Sequence, residues 1–511
     1  MPRALLAVLL LLAIAVAALA TASMWEDSAT ADEGAHIAAG LLKLREGRLD
    51  FYATQAPLAE ALVAAPLALM GYRVPEEWRQ YGNRPWVAAH FLLYRGGYDP
   101  QRILRTARLP VIALLLALCF AVFWFVRDVT GNDTAALAAF ALTGFCPTLL
   151  AHGRLATVDL AVTCFGFVAT ALLLRLLRAP SRGVAVGTGV ALACALASKV
   201  SGALFVPFFA IVVALWFLRE RRLDVRMLAL AAGAALVAFI GIYLKLGHSL
   251  DLTLPFRAYL SEIDAVRHFY AERHVLPQFL LGEFSQDGWA YYYLVALAVK
   301  TPLPALVLLV LAVVPALRAR RFEVAVCAVF VALFLVVSAF SSLNLGIRHV
   351  LPIYPFVFAA IAISLERWRR VLPLLVAGHV VVALLAFPSY LSYFNPLIGS
   401  PRNADRVLID SNLDWGQDLR RLARWARTHD DAPLHVHYFG AGSVEHELGA
   451  RAERWAGPRP EPLPPGWFAL SRHFYRLSFM PGRADYDTYL RASHAEYVTT
   501  IGGSIDVYRV R

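Results

Sequence analysis

The chain is short of charge. Of its 511 residues only 17% are Asp, Glu, Lys or Arg, while 59% are hydrophobic; ordinary soluble domains are nearer a quarter charged and half apolar. Long uncharged runs recur along it, which excludes the soluble globular class and points to a polytopic membrane protein. Cysteine is scarce as well. All five (Cys119, Cys146, Cys164, Cys194 and Cys327) fall inside apolar runs, so neither a disulfide nor a Cys-based metal site is expected, and each reads as a small buried hydrophobe. The hydrophilic tail beyond residue 390 has none and does not depend on disulfides. No metal motif of fixed spacing is present. No clear internal repeat is visible, which counts against a transporter built of inverted halves. The formal net charge of +11 would suggest nucleic acid in a soluble protein. Here the basic residues sit in short clusters between apolar runs, as orientation signals do, and no nucleic-acid partner is expected.

What is present is a series of eleven apolar runs, at about 4–22, 107–126, 134–150, 155–174, 183–198, 201–218, 227–246, 291–316, 322–340, 349–365 and 371–388. Arginine clusters such as Arg175/Arg178/Arg182, Arg219/Arg221/Arg222/Arg226 and Arg318/Arg320/Arg321 separate several of them and should face the cytoplasm. That rule splits 183–218 into two short helices broken at Ser198-Lys199-Val200-Ser201-Gly202, because one long helix would put arginine clusters on opposite sides. The result is about eleven transmembrane helices with the N-terminus inside. The first run reads as an anchor rather than a cleaved signal peptide, and the loop after it is translocated either way. The expected outer side holds residues 25–106, the turns near 151–154 and 199–202, a 247–290 loop, a turn at 341–348 and the tail. Residues 57–69 are apolar but too short to span, which suits a surface-lying or re-entrant helix starting at Pro57. The reading is a polytopic α-helical membrane domain over 1–390 and a small C-terminal α/β extracytoplasmic domain over 391–511. In the tail, an amphipathic helix should follow Asp410-Ser411-Asn412, and strands are expected at 434–438, 467–470, 497–501 and 505–510. The Pro-rich 457–465 reads as a loop.

The stretch that invites chemistry is Thr30-Ala31-Asp32-Glu33-Gly34-Ala35-His36, just outside the first apolar run. Thr30 and Glu33 also have capping-box spacing, and Asp32 and His36 are four apart on one helix face, so a purely structural reading stands beside the catalytic one. Asp159 lies at the outer end of a run; an intramembrane carboxylate is a functional candidate, with an ion pair to Arg154 as the plainer reading. Lys199, Lys300, Arg348 and His349 fall on the expected outer face. Each alone could be a snorkelling anchor, but together they suggest an anionic head group such as a phosphate. His36, His152 and Glu33 are the residues that would hold a divalent ion. Asp414-Trp415-Gly416-Gln417-Asp418 also stands out, although helix capping would explain its acids.

Together these residues resemble the GT-C glycosyltransferases that use polyprenyl-phosphate sugars, in the branch of the protein O-mannosyltransferases and lipid A aminoarabinose transferases (glycosyltransferase family 39-like). The resemblance runs through Asp32-Glu33-Gly34-Ala35-His36, through His152-Gly153-Arg154-Leu155-Ala156-Thr157-Val158-Asp159, through Gly282-Glu283-Phe284 and Lys300-Thr301-Pro302-Leu303-Pro304, and through Arg348-His349-Val350-Leu351-Pro352-Ile353-Tyr354-Pro355. It implies an inverting glycosyltransferase of the plasma membrane with an outward-facing site. Asp32 would be the general base, and Glu33 would orient the acceptor or a metal. His36, His152, Arg154, Asp159, Lys199, Lys300, Arg348 and His349 would line the substrate site. The implied partners are a polyprenyl-phosphate-sugar donor, membrane lipid, and a hydroxyl acceptor on a glycan, lipid or protein. The tail does not resemble the sugar-binding module of the eukaryotic protein mannosyltransferases. Two rival readings remain: a flippase or transporter of lipid-linked sugars, and a non-catalytic scaffold acting through its tail.

Overall fold

The structure is a computed structural model describing residues 2–272, 278–341, 344–368, 370–455, 457, 463–480, 482–483 and 485–511. Each apolar run contains a helix. The first is α1 (Arg3–Met24), followed by α2 (Glu33–Glu46), α3 (Pro57–Leu69) and α4 (Pro85–His90) in the first loop. Then come α5 (Pro100–Thr130), α6 (Asp133–Gly144), α7 (Pro147–His152), α8 (Asp159–Arg178), α9 (Arg182–Leu196), α10 (Phe205–Glu220), α11 (Val225–Leu246) and α12 (Leu254–Glu272). A hairpin of β1 (Gln278–Leu280) and β2 (Glu283–Ser285) precedes α13 (Tyr292–Lys300), α14 (Leu303–Ala319), α15 (Phe322–Ala339), α16 (Ile353–Ser364) and α17 (Val371–Leu385). Many helices turn large apolar side chains outward: Leu11, Val237, Val310 and Leu385 are each more than 60% exposed. In water such a surface would be an association hazard; hydrocarbon is its natural solvent, and the chain is a multi-pass membrane protein.

Among the described residues six helices are long and apolar enough to cross a membrane, or seven if α13 and α14 form one bent span. The expected eleven are not all reached by length, because several runs fold into shorter or broken helices. Proline is one cause. In 134–150, Pro147 holds Cys146 in extended backbone and divides α6 from α7. In 291–316, Pro302 does the same to Thr301, and α13 and α14 meet at 113°. The carbonyls freed at that bend are taken up by side chains: Thr148 Oγ donates to the Lys300 carbonyl at 3.0 Å, and Asn395 Nδ2 to those of Ala298 and Thr301 at 2.6 and 2.7 Å. The expected break at 198–202 is present, with Lys199 in extended backbone between α9 and a short 3-10 turn that enters α10. The short helix at Pro57–Leu69 also forms, and it crosses α2 closely. A Cβ on Gly40 would meet the Glu60 carbonyl oxygen at 2.0 Å, so only glycine lets the two backbones approach this far.

The tail carries short helices α18 (Ala404–Val407), α19 (Leu419–Ala426), α20 (Val444–Leu448), α21 (Arg472–Leu477) and α22 (Tyr486–Ala492). They surround a sheet of β3 (Leu434–His437), β4 (Ala452–Arg454), β5 (Gly466–Ser471), β6 (Glu496–Ile501) and β7 (Ile505–Val510). The strand order is β4-β3-β5-β7-β6, with β3 parallel to β4 and β5 and the other pairs antiparallel. The expected strands fall where their β-branched and aromatic runs lie. Most of the 457–465 loop lies outside the described residues. Leu419 and Leu422 of α19 pack with Val436, Ala469 and Val507 of the sheet in one core.

Candidate active site

Asp32 and Glu33 are adjacent in sequence but occupy different environments. Glu33 begins α2 and is fully buried. Its Oε1 accepts from Arg108 Nε and the Ala156 backbone N–H, both at 2.8 Å. Its Oε2 accepts from Arg108 Nη2 at 2.7 Å and from the Thr30 backbone N–H and hydroxyl at 3.0 and 3.1 Å. Arg108 spends its remaining donors on the carbonyls of Met24, Asp27 and Ser28. Burial alone would raise the Glu33 pKa, but the Arg108 charge and these hydrogen bonds outweigh it and hold the carboxyl below its usual range. Glu33 therefore joins the first loop to α5 and to the 152–158 segment, and no lone pair is left facing open space. The Thr30–Glu33 contact is half of a capping box; the reciprocal bond is absent because the Thr30 hydroxyl donates to the carboxylate instead.

Asp32 faces a cavity of about 790 Å³. Its backbone position is fixed at the preceding peptide: Ala31 donates its N–H to the Trp415 carbonyl at 2.9 Å, and its carbonyl accepts from Trp86 Nε1 at 3.0 Å. Lys199, Arg348 and His349 line the same cavity, with Tyr52, Tyr292 and Trp415 among its aromatic walls. Arg348 lies 3.1 Å from Asp32 and 3.8 Å from Asp159, and its guanidinium sits over the Trp415 ring at 4.4 Å. Burial opposes the Arg348 charge, but the carboxylates of Asp32, Asp159 and Asp410 more than compensate and raise its pKa above the ordinary guanidinium value. Asp159 is buried at the start of α8 and binds Lys199 at 2.6 Å. It thus orients two cations. The plainer expectation of an Asp159–Arg154 pair is not met, because Arg154 pairs with Asp27 instead. Arg348 Nε and His349 Nε2 are buried with no hydrogen-bond partner among the described residues. Uncompensated buried donors are costly, and a ligand accepting from them would relieve that cost.

The other expected site residues lie elsewhere. His36 turns away from Asp32 and binds Glu60 of α3 at 3.0 Å; Lys43 pairs with the same carboxylate, making a buried α2–α3 brace. His152 is buried with its ring 6.2 Å from that of Trp415. Lys300 is buried, with Nζ donating to the carbonyls of Leu391 and Asn412 at 2.8 and 2.6 Å. It anchors the tail rather than facing the cavity. The suggested metal set of Glu33, His36 and His152 is not brought together, since each has a different set of neighbours. Among the described residues no group of three His, Cys, Asp or Glu is placed to hold an ion.

Sequence reasoning missed Arg108, absorbed into an apolar run, although a lone arginine in such a run is a recognised signal. It also underrated residues 411–418. The Ser411 hydroxyl donates to the Leu345 carbonyl at 2.8 Å. Asn412 accepts the Ile347 N–H at 2.9 Å and donates to the Tyr292 hydroxyl at 2.9 Å. On the other side, Gln417 accepts the Ser28 N–H at 2.9 Å, and Arg421 reaches Asp27 at 2.7 Å. One tail segment therefore braces both the Arg348 turn and the Asp32 loop. Asp418 stands at the start of α19, yet its carboxylate accepts from Ser504 and Arg421 instead of capping the helix. Gly416 is needed for this arrangement: its φ is +94°, and a Cβ there would meet the Gly440 Cα at 2.5 Å.

Comparison with known proteins agrees with this architecture. Residues 102–243 match the family described as dolichyl-phosphate-mannose-protein mannosyltransferase. No curated protein matches the chain by sequence. Two solved structures of ArnT from Cupriavidus metallidurans share the fold over 98% of both chains. The form bound to undecaprenyl phosphate has a TM-score of 0.53 at 13% identity, and the apo form 0.51 at 15%. The family match is confined to residues 102–243, and the likeness to the two ArnT structures is one of fold along nearly the whole chain.

Proposed function

We propose that this protein is an inverting glycosyltransferase that moves a sugar from a polyprenyl-phosphate donor to a hydroxyl acceptor at the outer face of the plasma membrane. The observation that carries the reading is one cavity with a carboxylate, Asp32, and a set of cations, Lys199 and Arg348, on its walls. An acceptor hydroxyl must lose its proton as it attacks the sugar carbon, and Asp32 is the base for that step. The bond from that carbon to the phosphate oxygen breaks, and the lipid phosphate leaves as an anion. It needs positive charge rather than an acid, and Lys199 and Arg348, with His349 as a neutral donor, supply it. Glu33 holds the loop that carries Asp32 and touches no substrate. Asp159 is a positioning residue for the two cations. In this reading Arg348 shares its charge between Asp32 and Asp159 until a donor phosphate draws it away, which frees Asp32 to accept a proton.

The bound undecaprenyl phosphate of the ArnT structure supports a polyprenyl-phosphate donor. The arginine clusters support the orientation, because they leave the cavity and the tail on the side opposite the cytoplasm. The test is mass spectrometry of envelope lipids, glycans and glycoproteins from cells carrying the wild type, a deletion or Asp32→Asn. One sugar modification should vanish in both mutants and return with the wild type, which also names the acceptor. If the deletion has an effect but Asp32→Asn behaves as wild type, the transferase reading fails. Transport of a lipid-linked sugar by the purified protein, without transfer, would put a flippase in its place.

A further inference from the structure

The tail holds a second polar cavity, of about 170 Å³, between the 401–406 segment, α21 and the β6–β7 hairpin. The helix α21 has two faces. His473, Phe474 and Leu477 look into the large cavity that contains Asp32, whereas Arg472, Tyr475 and Arg476 look into the small one. Arg402 and Arg406 complete its basic lining, so four guanidiniums meet two carboxylates, Asp405 and Asp506. The carboxylates are already committed. Asp405 takes Arg472 and Arg476 together, Arg476 at 2.5 Å, and Asp506 lies 3.8 Å from Arg472. This buried group has a structural task, because Arg472 also donates to the carbonyls of Pro401, Arg402 and Gly503 and so ties the 401–405 segment to the sheet. The Arg402 carbonyl serves in that network, but the side chains of Arg402 and Arg406 do not. Among the described residues neither makes an ion pair; the Arg402 guanidinium lies over the Tyr497 ring at 5.3 Å. Four guanidiniums against two carboxylates leave the cavity with an excess of positive charge, carried by Arg402 and Arg406, which suits an external anion.

We infer that this cavity is a binding site for a single phosphate-class anionic group, either free or on a lipid head group, with Arg402 and Arg406 as its contacts. The size agrees, since whole-ligand pockets run to several hundred Å³ and this one admits only a head group. The chemistry agrees too, since guanidinium forks bind phosphate oxygens with charge-assisted hydrogen bonds. The position favours a ligand at the membrane surface: residues 401–406 follow the last apolar helix, α17, closely in sequence. Nearby, the Leu281 N–H donates to the Val407 carbonyl at 3.0 Å, next to Arg406, while the Leu281 side chain is exposed. The site is separate from the donor phosphate site proposed above and stands whether or not transfer occurs.

The test uses the full-length protein in a Lys199→Met background, which weakens anion binding in the large cavity. Inorganic phosphate is titrated while thermal unfolding is followed. Saturable stabilisation is expected, with affinity at least about tenfold weaker in Arg402→Ala/Arg406→Ala and largely retained in Arg402→Lys/Arg406→Lys. The absence of saturable binding in the parent, or equal binding by the alanine variant, overturns the proposal. If the alanine variant melts lower even without phosphate, the lysine variant decides: it binds if the charges are the site and fails if only packing matters. A second arm reconstitutes the proteins in nanodiscs containing phosphatidylglycerol and phosphatidylcholine and measures the lipid retained by native mass spectrometry. Phosphatidylglycerol retained by the parent and lost from the alanine variant identifies a lipid head group as the source. Binding of inorganic phosphate alone identifies a free anion.

Discussion

Glu33→Gln and Asp32→Asn are neighbouring, nearly isosteric changes that should produce opposite phenotypes. Glu33 accepts five hydrogen bonds while fully buried. Each of its oxygens faces at least two donors, so whichever way the introduced amide turns, its NH₂ points at donors. Arg108 is then a buried charge that has lost its paired carboxylate. Removing one partner of a buried pair costs about 3–5 kcal/mol, and each stranded donor belongs to the same loss. The purified Glu33→Gln protein should therefore melt well below wild type when tryptophan fluorescence is followed in detergent, and should accumulate poorly in the membrane. Any folded fraction should keep transfer activity, because Glu33 is not among the residues that line the cavity. Asp32 is partly exposed to the cavity and, among the described residues, forms its ion pair with Arg348 alone, which retains Asp159 and Trp415. Asp32→Asn should melt close to wild type and lose about 10²–10⁴-fold in transfer, the usual contribution of a general base. A Glu33→Gln protein with wild-type melting and no activity would refute the division of roles drawn here.

Lys199→Met should fold and raise the KM for the lipid-linked donor by about tenfold or more, the scale of one charge-assisted hydrogen bond; an unchanged KM would remove Lys199 from phosphate binding. Trp415→Ala should cut transfer by about tenfold by releasing Arg348 from its ring, a cation–π contact worth about 0.5–2 kcal/mol; Trp415→Phe should recover part of that loss, and equal activity of all three proteins would show that the contact is idle. Removal of residues 391–511 should abolish stable expression, because Lys300, the Arg348 turn and the Asp32 loop all bond to the tail; a folded, active truncation would contradict this. Asp414 is buried, which raises its pKa to about 7 despite bonds from Ser471 and the Gly416 N–H. Its folded pKa lies above the unfolded value, so the stability it lends is complete below about pH 4, declines as pH rises towards 7 and is gone above. Asp414→Asn, which mimics the protonated acid, should gain on wild type across that window by a margin on the order of 4 kcal/mol; parallel stability curves for the two proteins would sink the argument.

The sequence alone determined the elements whose causes are local. Hydrophobic runs placed every membrane helix, because a helix in hydrocarbon must be apolar along its whole length. The Lys199 break, the short apolar helix at Pro57–Leu69 and the β6–β7 hairpin around Gly502-Gly503 were legible from charge, length and turn residues. Proline positions held the information for the bends at Pro147 and Pro302, but a hydropathy count runs across them, and so more spans were expected than helix lengths provide. Asp32, Lys199 and Arg348 were found as rare charges on one expected face of the membrane. Their neighbours were not decided locally. Asp32 and Glu33 look equivalent in sequence, and only the approach of Arg108 from α5 and Ala156 from the segment before α8 makes one structural and leaves the other open. His36 and Lys300 are as conspicuous in sequence as Lys199, yet Glu60 claims the first and the tail carbonyls claim the second. Residues 411–418 join two walls of the cavity that are both remote from them in sequence, a relation that no spacing rule records. Helix content follows from the energetics of each segment in its solvent, whereas which buried charge meets which partner depends on the packing of the whole chain.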